Sequence, residues 1–74
     1  MKKRIAIFPG SFNPFTRGHQ RIVERGLKLF DTIIIAIGRN SEKQAEQSEE
    51  ERALQIAELY SKNPRVSVQT YETL

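Results

Sequence analysis

Residues 32–38 spell Thr-Ile-Ile-Ile-Ala-Ile-Gly, an unbroken apolar stretch between Thr32 and Gly38. A strand with one wet face alternates apolar and polar residues, whereas a continuous run of β-branched residues is expected of a strand buried on both faces of a parallel sheet. Parallel strands need crossover connections, usually helices, and the flanking sequence supplies them. A first strand is expected over about Arg4–Phe8. A first helix follows over about Gly18–Leu29, with Ile22, Val23, Leu27 and Phe30 at helical spacing. After the central strand comes a polar loop from Arg39 to Gln47. Ser48-Glu49-Glu50-Glu51 is a capping box with acidic residues in the first turn. It opens a second helix to about Lys62 that buries Ala53, Ile56, Ala57 and Tyr60. Asn63-Pro64 ends that helix, and a third strand covers about Val66–Thr70.

This β-α-β-α-β order is half of a doubly wound, parallel, Rossmann-like sheet. Right-handed crossovers give the strand order three-two-one, with the first strand at one edge. With no fourth strand in the sequence, the apolar edge Ile5–Phe8 is expected to stay open, which is a liability for aggregation.

A chain of 74 residues is one domain at most, and cores of this size supply only about 3–5 kcal/mol. Cysteine is absent, so no disulfide or thiolate metal site staples the fold, in keeping with a reducing cytoplasm. Lys2-Lys3-Arg4 is followed by only Ile5–Phe8 before Pro9. That is too short for a signal peptide, and no run approaches membrane-spanning length. Charge is unevenly spread. Residues 1–41 carry Lys2, Lys3, Arg4, Arg17, Arg21, Arg25, Lys28 and Arg39 against Glu24 and Asp31, while residues 42–74 are acidic on balance. A small polyanionic ligand on the basic half accounts for this arrangement. Nucleic acid accounts for it less well, because no aromatic residues interleave with the basic ones.

The basic half also holds Phe8-Pro9-Gly10-Ser11-Phe12-Asn13-Pro14-Phe15-Thr16-Arg17-Gly18-His19, a loop between a strand and a helix start. The first N–H groups of a helix lack internal partners and sit at the positive end of its dipole, so such loops bind phosphate. Gly10 and Gly18 are expected to let the backbone approach a ligand, and Ser11 and Thr16 add hydroxyls. The loop is neither a Walker-type phosphate loop nor a three-glycine dinucleotide fingerprint.

Thr16-x-Gly18-His19, preceded by Pro9-Gly10-Ser11-Phe12-Asn13-Pro14, resembles the first signature of the nucleotidyltransferase superfamily. Many members have His where Thr16 stands. Thr16 with the upstream Pro-Gly-Ser-Phe is similar to the pantetheine-phosphate adenylyltransferase family. The similarity continues through Ile22–Arg25, Leu29–Asp31, Ile33–Gly38, Lys43 and Glu50-Glu51-Arg52. The resemblance implies that residues 1–74 are the N-terminal portion of a single adenylyltransferase domain whose C-terminal half is absent. It implies a cytoplasmic enzyme that transfers an adenylyl group from ATP, with Mg²⁺, to 4′-phosphopantetheine, acts without nucleic acid or membrane, and at full length forms a hexamer.

By the same resemblance, His19 binds the nucleotide phosphate and stabilises the transition state. Ser11 and Phe12 touch ATP, and Ser11 also touches the acceptor phosphate. Lys43 reaches that phosphate, and Leu74 begins the pocket for the pantetheine arm. Each has a plainer alternative: a helix N-terminal residue that only bonds loop carbonyls for His19, a turn hydroxyl for Ser11, a core aromatic for Phe12, a solvated charge for Lys43, a core leucine for Leu74. Thr16 either hydrogen-bonds phosphate or caps the turn. Asn13 stands where the family usually has Asp and is left out of the site. Lys43 is followed by Gln44-Ala45-Glu46-Gln47 rather than by the family's Lys-Pro and hydrophobic residue. The competing functions are another nucleotidyltransferase, such as a nicotinamide-nucleotide adenylyltransferase, against which Thr16 argues, and a non-catalytic nucleotide-binding or assembly fragment.

Overall fold

The computed structural model describes residues 2–39 and 48–72. The apolar run forms β2 (Thr32–Arg39), the middle of a three-stranded parallel sheet with β1 (Ile5–Gly10) on one side and β3 (Val66–Glu72) on the other. Helices α1 (Arg17–Leu29) and α2 (Glu49–Leu59) are the two crossovers. Ile7 pairs with Ile34 across the first ladder, and Ile35 with Val68 across the second. The alternation and strand order are those expected from sequence.

Both helices pack on one face of this sheet. Ile33, Ile35 and Ile37 are buried there with Val23 of α1, Ile56 of α2, Val66 and the ring of Phe12. The opposite face carries Ile5, Ile7 and Ile34, of which Ile5 is 57% and Ile7 66% exposed while Ile34 is half-buried. On that face β2 itself keeps Ala36 buried and Ile34 half-buried, so the expectation of a strand buried on both faces holds in part, although only the other face carries helices. Two successive right-handed crossovers in the same direction place both helices on the same side.

Two apolar positions are also corrected. Ile22 of α1 is 52% exposed and Ala57 of α2 is exposed. In α1 the face towards β2 is centred on Val23 and Gly26, because a Cβ on Gly26 would lie 2.7 Å from Cδ1 of Ile33. The helix sits down on β2 at the glycine, and Ile22 falls on its flank. In α2 the inward positions are Arg52, Ala53, Ile56 and Tyr60, which leaves Ala57 to one side.

The ends differ by a few residues for local reasons. β1 runs on through Pro9, which an edge strand tolerates because only one of its sides is hydrogen-bonded. α2 stops at Leu59 rather than near Lys62. The Ser61 N–H donates to Glu58 and the Asn63 N–H to Tyr60, at 3.2 and 2.9 Å, so the chain tightens into turns before Pro64. Ser48 caps α2 by accepting from the Glu51 N–H at 3.1 Å. Arg65 closes the other end of α1: its guanidinium donates to the carbonyls of Leu27, Phe30 and Asp31. Asp31 in turn accepts from the Arg4 N–H at 2.8 Å.

Candidate functional site

The carboxyl end of β1, the loop 11–16 and the first turn of α1 form one constellation at the end of the sheet where α/β folds bind ligands. Thr16 is the N-cap of α1, in extended conformation at φ −97° and ψ 173°. Its hydroxyl oxygen accepts from the His19 N–H at 3.4 Å, and its own N–H donates to His19 Nδ1 at 2.8 Å. This is a complete capping box, with histidine in the place usually taken by Glu or Gln. A backbone amide can only donate, so Nδ1 is an acceptor and the proton of the neutral ring resides on Nε2. The local cap thus sets the tautomer of His19 and leaves Nε2–H as a donor with no partner among the described residues.

The imidazole is held by three aromatic rings. Phe15 stacks on it at 5.4 Å and 23°, Phe12 meets it edge-on at 5.1 Å and 84°, and Phe8 lies 6.0 Å away. Phe8 and Phe15 were not among the site residues expected from sequence. The signal was there in the case of Phe15, one helical turn before His19, but an aromatic residue in a turn is ordinarily only packing.

The first turn of α1 contains no carboxylate and begins with Arg17, whereas that of α2 holds Glu49, Glu50 and Glu51. α2 compensates its own positive end, while α1 leaves its own open to an anion. The acidic turn of α2 is further engaged by arginines: Arg39 of β2 pairs with Glu50, and Arg52 lies 3.8 Å from Glu49.

The remaining expected residues divide clearly. Gly18 is at the second helical position, where a Cβ would meet only Thr16 Oγ1 at 3.6 Å, an ordinary contact. Gly10 is a point of close approach within the protein itself. A Cβ there would lie 2.9 Å from Cζ of Phe12, so the space beside Gly10 is filled by the protein's own ring. Phe12 is buried as a side chain, with φ +50°, while its backbone lies in the loop. Ser11 is exposed, and its carbonyl accepts from Arg52 Nε at 3.1 Å. Lys43 and Leu74 lie outside the described residues.

Between the loop and α2 lies a cavity of about 210 Å³ lined by Phe12, Pro14, Phe15, Arg52, Gln55 and Leu59. Nearby Tyr60 meets Phe15 edge-on at 6.2 Å. Burial, reinforced by the negative charge of Glu24, pushes its hydroxyl above the ordinary tyrosine value. Among the described residues no three His, Asp or Glu side chains converge in a way that could hold a metal ion, and no helix is long and apolar enough to cross a membrane.

Known proteins share both the sequence and the shape. A family model described as cytidylyltransferase-like matches residues 7–74. A phosphopantetheine adenylyltransferase of Porphyromonas gingivalis is 55% identical over 74 residues, covering 100% of this chain and 48% of that protein. One of Flavobacterium johnsoniae is 56% identical over 71 residues, covering 96% and 47%. The chain thus spans about half the length of the curated relatives it matches. Among solved structures, a NadR protein in complex with NAD and AMP-PNP superposes with a TM-score of 0.86 at 20% identity, over 96% of this chain and 21% of that one. That likeness is one of fold.

Proposed function

The chain belongs to the cytidylyltransferase-like family, and from that premise we propose that it forms the phosphate-handling part of an adenylyltransferase acting on 4′-phosphopantetheine. In this reaction a phosphate oxygen of the acceptor bonds to the α-phosphorus of ATP. The bond from that phosphorus to the bridging oxygen of the β-phosphate breaks on the opposite side. Dephospho-coenzyme A and pyrophosphate result, a step of coenzyme A biosynthesis in the cytoplasm. The loop has only to position the reactants and stabilise charge at the transferring group.

The observation that supports this most is the Thr16–His19 box, which presents Nε2–H as a donor beside the unpaired amides of α1. Such a donor acts most strongly where charge develops in the transition state. Backbone N–H groups at Ser11, Phe12 and Gly18 would share the nucleotide phosphates. Lys43 would take the acceptor phosphate, and Leu74 the pantetheine arm. Mg²⁺ would arrive on the phosphates of ATP. Residues 8–20 contain no Asp or Glu, so the loop offers hydroxyl, amide and imidazole groups rather than a resident metal site.

The test is steady-state kinetics on the complete gene product with both substrates varied. His19→Ala should lower kcat by roughly 10²–10³-fold, as loss of one such donor does, while both KM values change much less. His19→Gln separates the two roles of this residue. Glutamine at this position still closes a capping box, so stability should hold while turnover falls. Lys43→Ala should raise KM for the acceptor more than for ATP. Unchanged turnover in both His19 variants would overturn the mechanism.

A further inference from the structure

Arg52 carries a full charge into the interior. It is 5% exposed, on the inner side of α2 near the buried Ile56. Burial of a guanidinium is costly unless hydrogen bonds and a counter-charge offset the lost hydration. A helix needs no such group for its own sake, and arginines are ordinarily left in solvent. This one reaches across the fold: Nε donates to the Ser11 carbonyl at 3.1 Å, 41 residues away in sequence. Nη2 lies 3.8 Å from Glu49 Oε1, one turn earlier in α2.

The carbonyl it holds is a consequential one. The Ser11–Phe12 peptide is trans, and in a trans peptide C=O and N–H point in opposite directions. Drawing the Ser11 carbonyl towards α2 turns the Phe12 N–H away from α2. Phe12 itself adopts φ +50°, a conformation that is costly for a non-glycine residue and persists only where the surroundings enforce it. The aromatic cluster with Phe8, Phe15 and His19 fixes its ring. Arg52 fixes the peptide that precedes it.

We propose that Arg52 is a positioning residue. By gripping the Ser11 carbonyl it aims the Phe12 N–H at the same phosphate that His19 Nε2–H receives. The role rests on the adenylyl-transfer function proposed above. In this role Arg52 acts through one peptide plane.

Three variants of the complete gene product test it: Arg52→Gln, Arg52→Lys, and Ile56→Val, which removes a buried methylene from the same helix face. Arg52→Gln should lower kcat/KM for ATP by roughly 10- to 100-fold, the scale of a 1 Å misplacement near a reacting centre, with KM for the acceptor little changed. Arg52→Lys should recover only part of this, because an ammonium lacks the planar fork. Ile56→Val should melt earlier yet keep wild-type ATP parameters. In ¹⁵N spectra ATP-Mg²⁺ should move the Phe12 amide in the wild type and not in Arg52→Gln, while His19 responds in both. If Arg52→Gln does not fold, Arg52→Lys carries the same comparison. A wild-type protein in which ATP-Mg²⁺ moves no amide of this loop would overturn the proposed function and this role with it. A responsive wild type with an equally responsive Arg52 variant, or an equal loss of ATP parameters in Ile56→Val, would overturn the positioning role alone.

Discussion

His19 serves folding with one ring nitrogen and, in the proposed function, offers the other to a ligand. Its Nδ1 accepts from the Thr16 N–H, so the bond that starts α1 also decides which nitrogen bears the proton. Tyr60 shows the opposite situation, a polar group with nothing to bond. Its hydroxyl is buried without a hydrogen-bond partner among the described residues, and burial together with Glu24 raises its pKa. The sign follows from linkage. The unfolded chain releases this proton near pH 10 and the folded protein only at higher pH, so the native state binds more protons in between. The contribution is intact below about pH 10 and falls as pH rises towards the folded value. Denaturant melts at stepwise pH from 7 to 11 should therefore show a steeper alkaline loss in the wild type than in Tyr60→Phe. Lysines and Tyr71 are common to both proteins and cancel. At pH 7 the variant should be at least as stable, since it removes an unsatisfied donor. Parallel pH curves would mean that the hydroxyl reaches water in solution.

At the scale of elements, α1 lies close against β2 at Gly26, where a Cβ would meet Ile33 Cδ1 at 2.7 Å. Two effects oppose each other in Gly26→Ala. Alanine gains about 1 kcal/mol of helix propensity, whereas overpacking a full core costs about 1–3 kcal/mol. Ile33 is 3% exposed, so its methyl has little room to retreat and the clash should prevail. Ile33→Val removes that methyl. The double variant should accordingly be more stable than the two single losses sum to, and denaturant unfolding of all four proteins measures the coupling. Strict additivity would show that the helix shifts outward instead. Gly26 also marks what was legible in the sequence and what was not. The run Ile33–Ile37, the strand-helix alternation and the Thr16–His19 spacing are local patterns, and they foretold the elements and their order. The role of Gly10, the grip of Arg52 on Ser11 and that of Arg65 on α1 depend on residues distant in sequence or on a ring folding back. Neither periodicity nor spacing encodes those contacts. The exposure of Ile22 followed from a glycine on the neighbouring face, which an apolar count along the helix does not weigh.

For the molecule as a whole, same-side helices leave the other face of the sheet without a covering helix, and among the described residues β1 is paired on one side only. Ile5 and Ile7 project from that strand at 57% and 66% exposure, beside an edge whose outer N–H and C=O groups have no ladder. Exposed apolar edges of this kind pair with other chains. The 74-residue chain studied alone should therefore self-associate, with a sedimentation coefficient that rises with concentration. Ile7→Lys places a charge on the bare face and blunts the edge without touching the core of Ile35, Ile37 and Val23. It should shift the chain towards monomer while leaving far-ultraviolet circular dichroism unchanged. If association instead came from partial unfolding of so small a core, Ile7→Lys would not reverse it, whereas Ile56→Val would aggravate it. A wild-type chain that remains a cooperative, well-protected monomer at high concentration, by sedimentation and hydrogen exchange, would show that the bare face and open edge are tolerated in water.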